Sequence, residues 1–325
     1  MRAVFVTGFG GTEVLRVQET EAPRPGPGQV LIQVAATGVN FADILARQGR
    51  YHGGAQPPFI PGLDVAGTIT AVGEGVTGLR VGQRVAAFPE GGSYAEQVVA
   101  DPVLVYPLPD GVDWDTAAAF PTVGVTAYNV LALAGRLTPG EAVVVHAAAG
   151  GVGTTAVQVA RLLGAGRVVG TVGDDAKAGV VRELGADAVI NYRREPVADR
   201  VLELTDGKGA DVILDSVAGE LFQQSLRCLA PFGRLVVFGQ ASGQPGTASS
   251  GDFYPRNQAL VGYSTGSYRR LRPTALRPAA EKVLNWLAEG RLRLVVSRRY
   301  PLVEAAAAQR WIEQRHSTGK VLLVP

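Results

Sequence analysis

Hydrophobic positions along the chain follow two different periods. Before Trp114 they alternate with polar residues in short runs, Gln29-Val-Leu-Ile-Gln-Val34, Val65-Ala-Gly-Thr-Ile69 and Gln83-Arg-Val-Ala-Ala87. The turn clusters PGPG (25–28), GEG (73–75) and EGG (90–92) separate these runs. A period of two, broken so often by turns, predicts a compact all-β unit or antiparallel barrel. Phe41-Ala-Asp-Ile-Leu-Ala-Arg-Gln48 is its helical interruption.

Further along, helical spacing appears over 113–119 and 126–133, and a regular alternation follows. Strands are predicted at 142–147, 167–172, 187–191, 211–215 and 234–238, with helices near 151–164, 175–184, 196–205 and 219–229 between them. Strands joined by helices through such short links run parallel, which makes this an α/β doubly wound sheet. Ala259–Tyr263 is a sixth strand; helical spacing returns at 273–289 and 302–315, and Lys320–Val324 closes the chain as a strand. That terminal part is too small for a core of its own. It is expected to complete the first lobe, dividing the chain into 1–123 with 262–325 and a central 124–261, with a cleft between the lobes.

Composition narrows the function. A chain of 325 residues and 33.9 kDa suits two cores. No uninterrupted apolar run reaches the ~18–20 residues of a membrane span, and the opening MRAVFVTGFGG is too glycine-rich for a signal peptide. No membrane partner and a cytoplasmic location are therefore expected. Cys228 is the only cysteine, and His52, His146 and His316 show no ligand spacing, so no metal site is expected. A net charge of +2 argues against a protein that coats nucleic acid. The charge is uneven, though: from Gly266 onward twelve Arg and Lys face four Glu. Most such side chains form a solvated face, yet the segment could also attract a phosphate-bearing ligand.

The sharpest motif is HAAAGGVG (146–153), which joins the first strand of the alternating series to its helix. Written as A-x-G-x-x-G, it offers Gly150 for close backbone approach to a pyrophosphate, Gly153 for helix–strand packing, and the N–H groups of a helix N-terminus. A merely tight turn is the bland alternative, but the position in the series favours a dinucleotide. After the second strand no acid stands in Gly170-Thr-Val-Gly173; Asp174 fits a helix cap, and Lys177 with Tyr192 could enclose a 2′-phosphate. NADPH is the expected cofactor. His146 is expected to be a satisfied structural histidine, and Cys228 an inert residue on an apolar helix face.

Several stretches together resemble the quinone oxidoreductase, or zeta-crystallin-like, branch of the zinc-independent medium-chain dehydrogenase/reductase superfamily. They are GVNFADILARQGRY (38–51), PGLDVAGTITAVGEGV (61–76), GVTAYN (124–129), HAAAGGVG, LGADAVINY (184–192), DSV (215–217) and GKVLLVP (319–325). The resemblance implies a GroES-like β-barrel catalytic domain made from both chain ends, a central Rossmann domain, NADPH between them, and a homodimer. Zinc-dependent relatives carry a cysteine near position 40 and a His-Glu pair near 63–64, where this chain has Asn40, Leu63 and Asp64. Without a Lewis acid the acceptor must be electrophilic by itself, as quinones and α,β-unsaturated carbonyls (enones) are.

By the same resemblance Asn40, Asp43 and Tyr51 fall on the substrate side, Asn40 as a donor to the acceptor oxygen and Asp43 as its orienter or a helix cap. Tyr51 and Phe41 have aromatic packing as an equal alternative. Implied cofactor contacts are Asn40, Thr126, Gly150, Gly151, Val152, Thr171, Gly173, Lys177, Tyr192, Ser216, Phe238, Gly239 and Arg315, with Lys320 reaching a phosphate or lying beside a strand. The leading expectation is an NADPH:quinone oxidoreductase; an enoyl reductase acting on unsaturated ketones or thioesters is the alternative. An RNA-binding or structural role has only weak support, from Arg269-Arg270-Leu-Arg272 and Arg298-Arg299-Tyr300. A short-chain reductase would need Tyr-x-x-x-Lys, and the residues four before the lysines are Gly173, Leu204, Pro278 and His316.

Overall fold

The computed structural model describes residues 1–51, 54–89 and 91–325. His52 and the first residue of the 90–92 turn lie outside the described residues. The chain divides into two compact units, Met1–Val125 with Gly266–Pro325, and Thr126–Thr265.

The first unit opens with β1 (Arg2–Val6) and β2 (Leu15–Glu19), an antiparallel pair. Next come β3 (Val30–Val39), α1 (Phe41–Arg47), β4 (Val65–Val72), β5 (Arg84–Ala87), β6 (Gln97–Ala100) and β7 (Val105–Pro107). The chain then enters α2 (Trp114–Asn129), which carries it into the second unit.

That unit alternates as its periodicity predicts: β8 (Ala142–Val145), α3 (Gly151–Leu162), β9 (Arg167–Val172), α4 (Ala178–Glu183), β10 (Ala188–Asn191), α5 (Val197–Leu204), β11 (Ala210–Asp215), α6 (Glu220–Cys228), β12 (Leu229–Val237) and β13 (Ala259–Gly262). The strand order is β10-β9-β8-β11-β12-β13, and every neighbouring pair runs parallel. Sequence order reverses between β8 and β11, the switch point at which open α/β sheets take their ligands. Val144, Val169, Ile213 and Leu235 are buried in one core cluster with Val201 and Phe222 of the helices.

After β13, the helix α7 (Thr265–Leu271) leads back to the first unit, followed by α8 (Arg277–Ala288), β14 (Val296–Pro301), α9 (Ala305–Glu313) and β15 (Lys320–Val324). β15 pairs antiparallel with β3, Val321 opposite Val39 and Leu323 opposite Thr37. This register sets Lys320 beside Asn40 although most of the chain separates them. Val4, Val39, Val321 and Leu323 pack in one core cluster, and Ile32, Val65, Ile69 and Val85 in another.

Three elements depart from the sequence reading. The two helical stretches 113–119 and 126–133 are one helix, α2, continued by a π-turn over Val130–Ala134. Pro121 and Gly124 lie inside it; a Cβ on Gly124 would stand 2.8 Å from Phe120 and 3.0 Å from Val283, so this glycine permits close packing. Trp114–Ala134 is long and apolar enough to cross a membrane, which the sequence reading missed; 78% of its apolar window is buried inside the protein, the mark of a core helix. β12 begins at Leu229 instead of 234, directly after α6, through a shifted register that absorbs Pro231 and the positive φ of Phe232. α7 was not foreseen, because Thr265-Gly-Ser carries no helical periodicity.

Candidate active site and cofactor turn

In the second unit the glycine turn is built as its residues require. The backbone turns left-handed at Ala147 (φ 50°), not at Ala148 where the fingerprint would open with glycine, so alanine at 148 is no obstacle. Ala148 instead donates its N–H to the Thr171 carbonyl at 2.9 Å. Gly150 is the N-cap of α3 and places no capping side chain over the helix end, leaving first-turn N–H groups available. A Cβ on Gly153 would stand 2.3 Å from the Ala147 carbonyl oxygen, whereas on Gly150 the nearest atom would be 3.3 Å away. Gly153 is thus required by packing, whereas Gly150 is far less constrained by its own fold.

Because the strands are parallel, the expected contacts collect at one edge of the sheet. Gly150, Gly151 and Val152 follow β8, Gly173 and Lys177 follow β9, Tyr192 follows β10, Ser216 follows β11, and Phe238 and Gly239 follow β12; all are partly exposed. The Tyr192 hydroxyl lies where a Cβ of Gly173 would be, 2.3 Å from it. Gly239 packs on Ser216, whose carbonyl oxygen would be 2.9 Å from an added Cβ. Asp174 caps the turn Asp175–Lys177 by accepting from Ala176 N–H at 3.0 Å, and Asp175 accepts from Asn191 at 2.6 Å and pairs with Arg194. The acids after β9 therefore hold the local backbone. The Thr126 hydroxyl bonds that of Thr265 at 2.7 Å.

Thr171 requires a correction. Its side chain is fully buried and meets His146 Nδ1 at 3.0 Å, so only its backbone faces the turn. His146 Nε2 meets Ser225 at 2.8 Å, and burial holds the imidazole below its usual pKa against the opposing charge of Asp215. It is a satisfied core histidine. Burial likewise pushes the Cys228 thiol up to about 12, which keeps it protonated and unreactive.

In the first unit a buried polar cluster surrounds Asn40. Lys320 Nζ donates to Asn40 Oδ1 at 2.8 Å, to Asp64 Oδ2 at 2.9 Å and to the Val39 carbonyl at 3.1 Å, using all three of its hydrogens. Asn40 Nδ2 donates to Asp64 Oδ2 at 2.8 Å and to the Gly38 carbonyl at 3.3 Å. The other Asp64 oxygen accepts from the Thr122 N–H and hydroxyl, at 2.9 and 2.6 Å. Asp43 accepts from Asn40 N–H at 2.8 Å and from the Tyr94 hydroxyl at 3.0 Å. Burial raises the Asp43 carboxyl to about 7, helped by the charge of Asp64 and opposed by the Asn40 hydrogen bond, Lys320 and Tyr94.

Two expectations change here. Both amide hydrogens of Asn40 are engaged internally, so it is not a free donor to an acceptor oxygen. Lys320 is locked in a buried ion pair and does not reach out to a phosphate. Asp43 completes the capping box of α1 by accepting from the Asn40 backbone N–H. Tyr51 is half-buried, and Arg315 lies in a left-handed turn (φ 60°) just beyond α9. Thr122 and Tyr94 escaped the sequence reading, which named Asp64 only as the residue standing where zinc-dependent relatives carry glutamate.

Comparison with known proteins agrees with this architecture. Residues 26–110 match the alcohol dehydrogenase GroES-like domain, and residues 151–283 the zinc-binding dehydrogenase family. A quinone oxidoreductase of Pseudomonas aeruginosa is 40% identical over 321 residues, covering 98% of this chain and 97% of that one. The crystal structure of quinone oxidoreductase from Pseudomonas syringae superposes with a TM-score of 0.93 at 36% identity, over 100% of this chain and 99% of the other. Escherichia coli quinone oxidoreductase, solved in complex with NADPH, gives 0.93 at 31% identity over 100% of both chains. Fold and site define a two-domain reductase with a GroES-like and a Rossmann part. The chain belongs to the quinone oxidoreductase, or zeta-crystallin-like, branch of the zinc-independent medium-chain dehydrogenases/reductases.

The family model's zinc does not fit the residues present. Among the described residues no three of His, Cys, Asp and Glu cluster, and the carboxylate at the relevant position, Asp64, is already held by a lysine, an amide and a threonine.

Proposed function

We propose that this protein is an NADPH:quinone oxidoreductase working without a metal. The observation that carries the reading is the Lys320–Asp64–Asn40 cluster, which fills the position of a zinc ligand set with an amide and a closed ion pair. An acceptor here must already be electrophilic, and a quinone is. NADPH supplies a hydride when bound. Gly150, Gly151 and Val152 present backbone to its pyrophosphate; Lys177, Tyr192 and Gly173 take the 2′-phosphate; Ser216, Phe238, Gly239 and Thr126 serve the rest of the cofactor. Asn40 and Asp43 keep the substrate-side loop rigid ahead of Tyr51. A structure solved with NADPH for a relative of such high similarity supports the cofactor.

The same reading makes the protein a cytoplasmic homodimer. β13 is an edge strand with Leu260 exposed, and the neighbouring Tyr254 is 77% exposed, an apolar margin suited to a second copy. Sedimentation of a monomer at micromolar concentration would exclude the dimer. Steady-state NADPH oxidation against quinone, enone and enoyl-thioester panels tests the acceptor class: quinones should turn over fastest, and a preference for thioesters would replace this assignment by an enoyl reductase.

A further inference from the structure

Four of the five crossovers in the six-stranded sheet carry a helix, α3, α4, α5 and α6 in turn; the last does not. Between β12 and β13, residues 238–258 form a loop whose regular structure is two 3-10 turns, Ser250–Asp252 and Tyr254–Arg256. The segment is long enough for a helix, but Gly243, Pro245, Gly246 and Gly251 break it. Leu235 pairs with Leu260 and Val237 with Gly262, so these four positions share one face of the sheet. α6 covers the β12 part of that face: Leu221 and Phe222 are buried with Leu235, and Val237 packs against the same cluster. The β13 part is left open. Leu260 is 46% exposed, and a Cβ added to Gly262 would meet nothing within 4 Å.

The loop is anchored on α6 and the strand ends instead of collapsing onto this face. Ala241 and Ser242 donate their N–H groups to the Ser216 and Val217 carbonyls, both at 3.0 Å, and Gln223 donates to the Thr247 carbonyl at 2.7 Å. Gly246 lies so close to the Phe222 ring that an added Cβ would run into it. What remains is a groove of about 800 Å³, within the ~300–1,000 Å³ of small-molecule sites. Phe222, Val237, Pro245, Phe253 and Leu260 line it, and no charged side chain does. Two of its polar side chains, Thr247 and Ser249, are already bonded to Gln223 and within the capping box with Asp252. A phosphate or carboxylate would find no cation there, whereas an apolar group would gain by leaving water. Gly239 and Gln240 also line the groove, which makes it continuous with the sheet edge where the functional reading puts the cofactor.

We propose that this groove binds an alkyl or prenyl tail of the acceptor, so that the protein prefers quinones bearing such a side chain to the bare ring system. The inference rests on the quinone reading and names the acceptor class within it. Continuity with the cofactor edge at Gly239 favours a substrate tail over a second copy of this chain as the occupant. Two copies paired along β13 would use its backbone groups, not the face under the loop.

The test compares NADPH oxidation with 2,3-dimethyl-1,4-naphthoquinone and with its homologue carrying a prenyl group in place of one methyl, two acceptors with equally alkylated rings. A fully buried methylene is worth about fourfold in affinity. Four added carbons, half-buried in an open groove, should raise kcat/KM about tenfold or more in wild type, through KM with kcat unchanged. G262F fills the groove from a position with free space, and should bring the ratio between the two acceptors down to about one. Equal kcat/KM in wild type, the result expected if a second copy occupied the groove, would overturn the proposal. So would a G262F protein that keeps the wild-type ratio, including one that weakens both acceptors alike. If wild type reduces both naphthoquinones without preferring the prenyl compound, only this inference fails. If it reduces neither, the functional reading fails with it.

Discussion

Replacing Lys320 by methionine removes a cation from a site with no water to take its place. The Lys320 and Asp64 side chains are 4% and 0% exposed, and their charged atoms lie 2.9 Å apart. K320M leaves Asp64 with three donors, from Thr122 and Asn40, but no countercharge, and it leaves Asn40 Oδ1 without its partner. Breaking a buried ion pair from one side costs about 3–5 kcal/mol. That is a large part of the ~5–15 kcal/mol that holds a typical domain. All three tryptophans, Trp114, Trp286 and Trp311, belong to the first unit, so their fluorescence during urea unfolding isolates the affected unit in a two-domain chain. D64N/K320M removes both charges and leaves the residue-64 side-chain oxygen to accept from Thr122, and should recover at least about 2 kcal/mol of the loss through a non-additive double-mutant cycle. A K320M loss below about 1 kcal/mol, or strict additivity, would refute the assignment of this pair as the strut that replaces a metal site.

Further outcomes follow from other parts of the structure. The Asp43 carboxyl rises from 3.8 to about 7 on folding, so the folded state holds a proton that the unfolded state has lost between these values. Its contribution to stability therefore falls as pH rises across that window, and D43N should remove this slope; identical pH profiles would show that Asp43 does not titrate there. G153A drives a methyl onto the Ala147 carbonyl, 2.3 Å away, and should cost about 1–3 kcal/mol by thermal unfolding. G150A should unfold like wild type but bind NADPH more weakly in a fluorescence titration, and equal binding would remove Gly150 from the cofactor site. K177A should lose about 1.5–3 kcal/mol of NADPH affinity and little for NADH, whereas equal losses would exclude Lys177 from the 2′-phosphate.

What the sequence makes legible is local. The β/α alternation of the second unit shows directly because each strand and helix is a self-contained period, and HAAAGGVG marks its ligand edge because turn chemistry sits within a few residues. Elements fixed by packing are harder to see. Pro121 and Gly124 look like breakers until their surroundings are known, and Pro231 with Gly233 disguised the start of β12. The buried polar cluster is hardest of all. Lys320, Asp64 and Asn40 meet only through the β3–β15 register, and nothing local marks Lys320 as buried or Asn40 as fully engaged. Arg269 looked like one charge in a solvated basic tail, since only tertiary structure turns it inward over Phe88.

Hydride transfer to a quinone should need no metal here. NADPH oxidation with menadione should be measured after exhaustive dialysis against a chelator, then with zinc restored. The structure predicts the same turnover in both states, with no activity toward simple alcohols or their aldehydes. Loss of quinone reduction on chelation, with recovery on adding zinc, would contradict it.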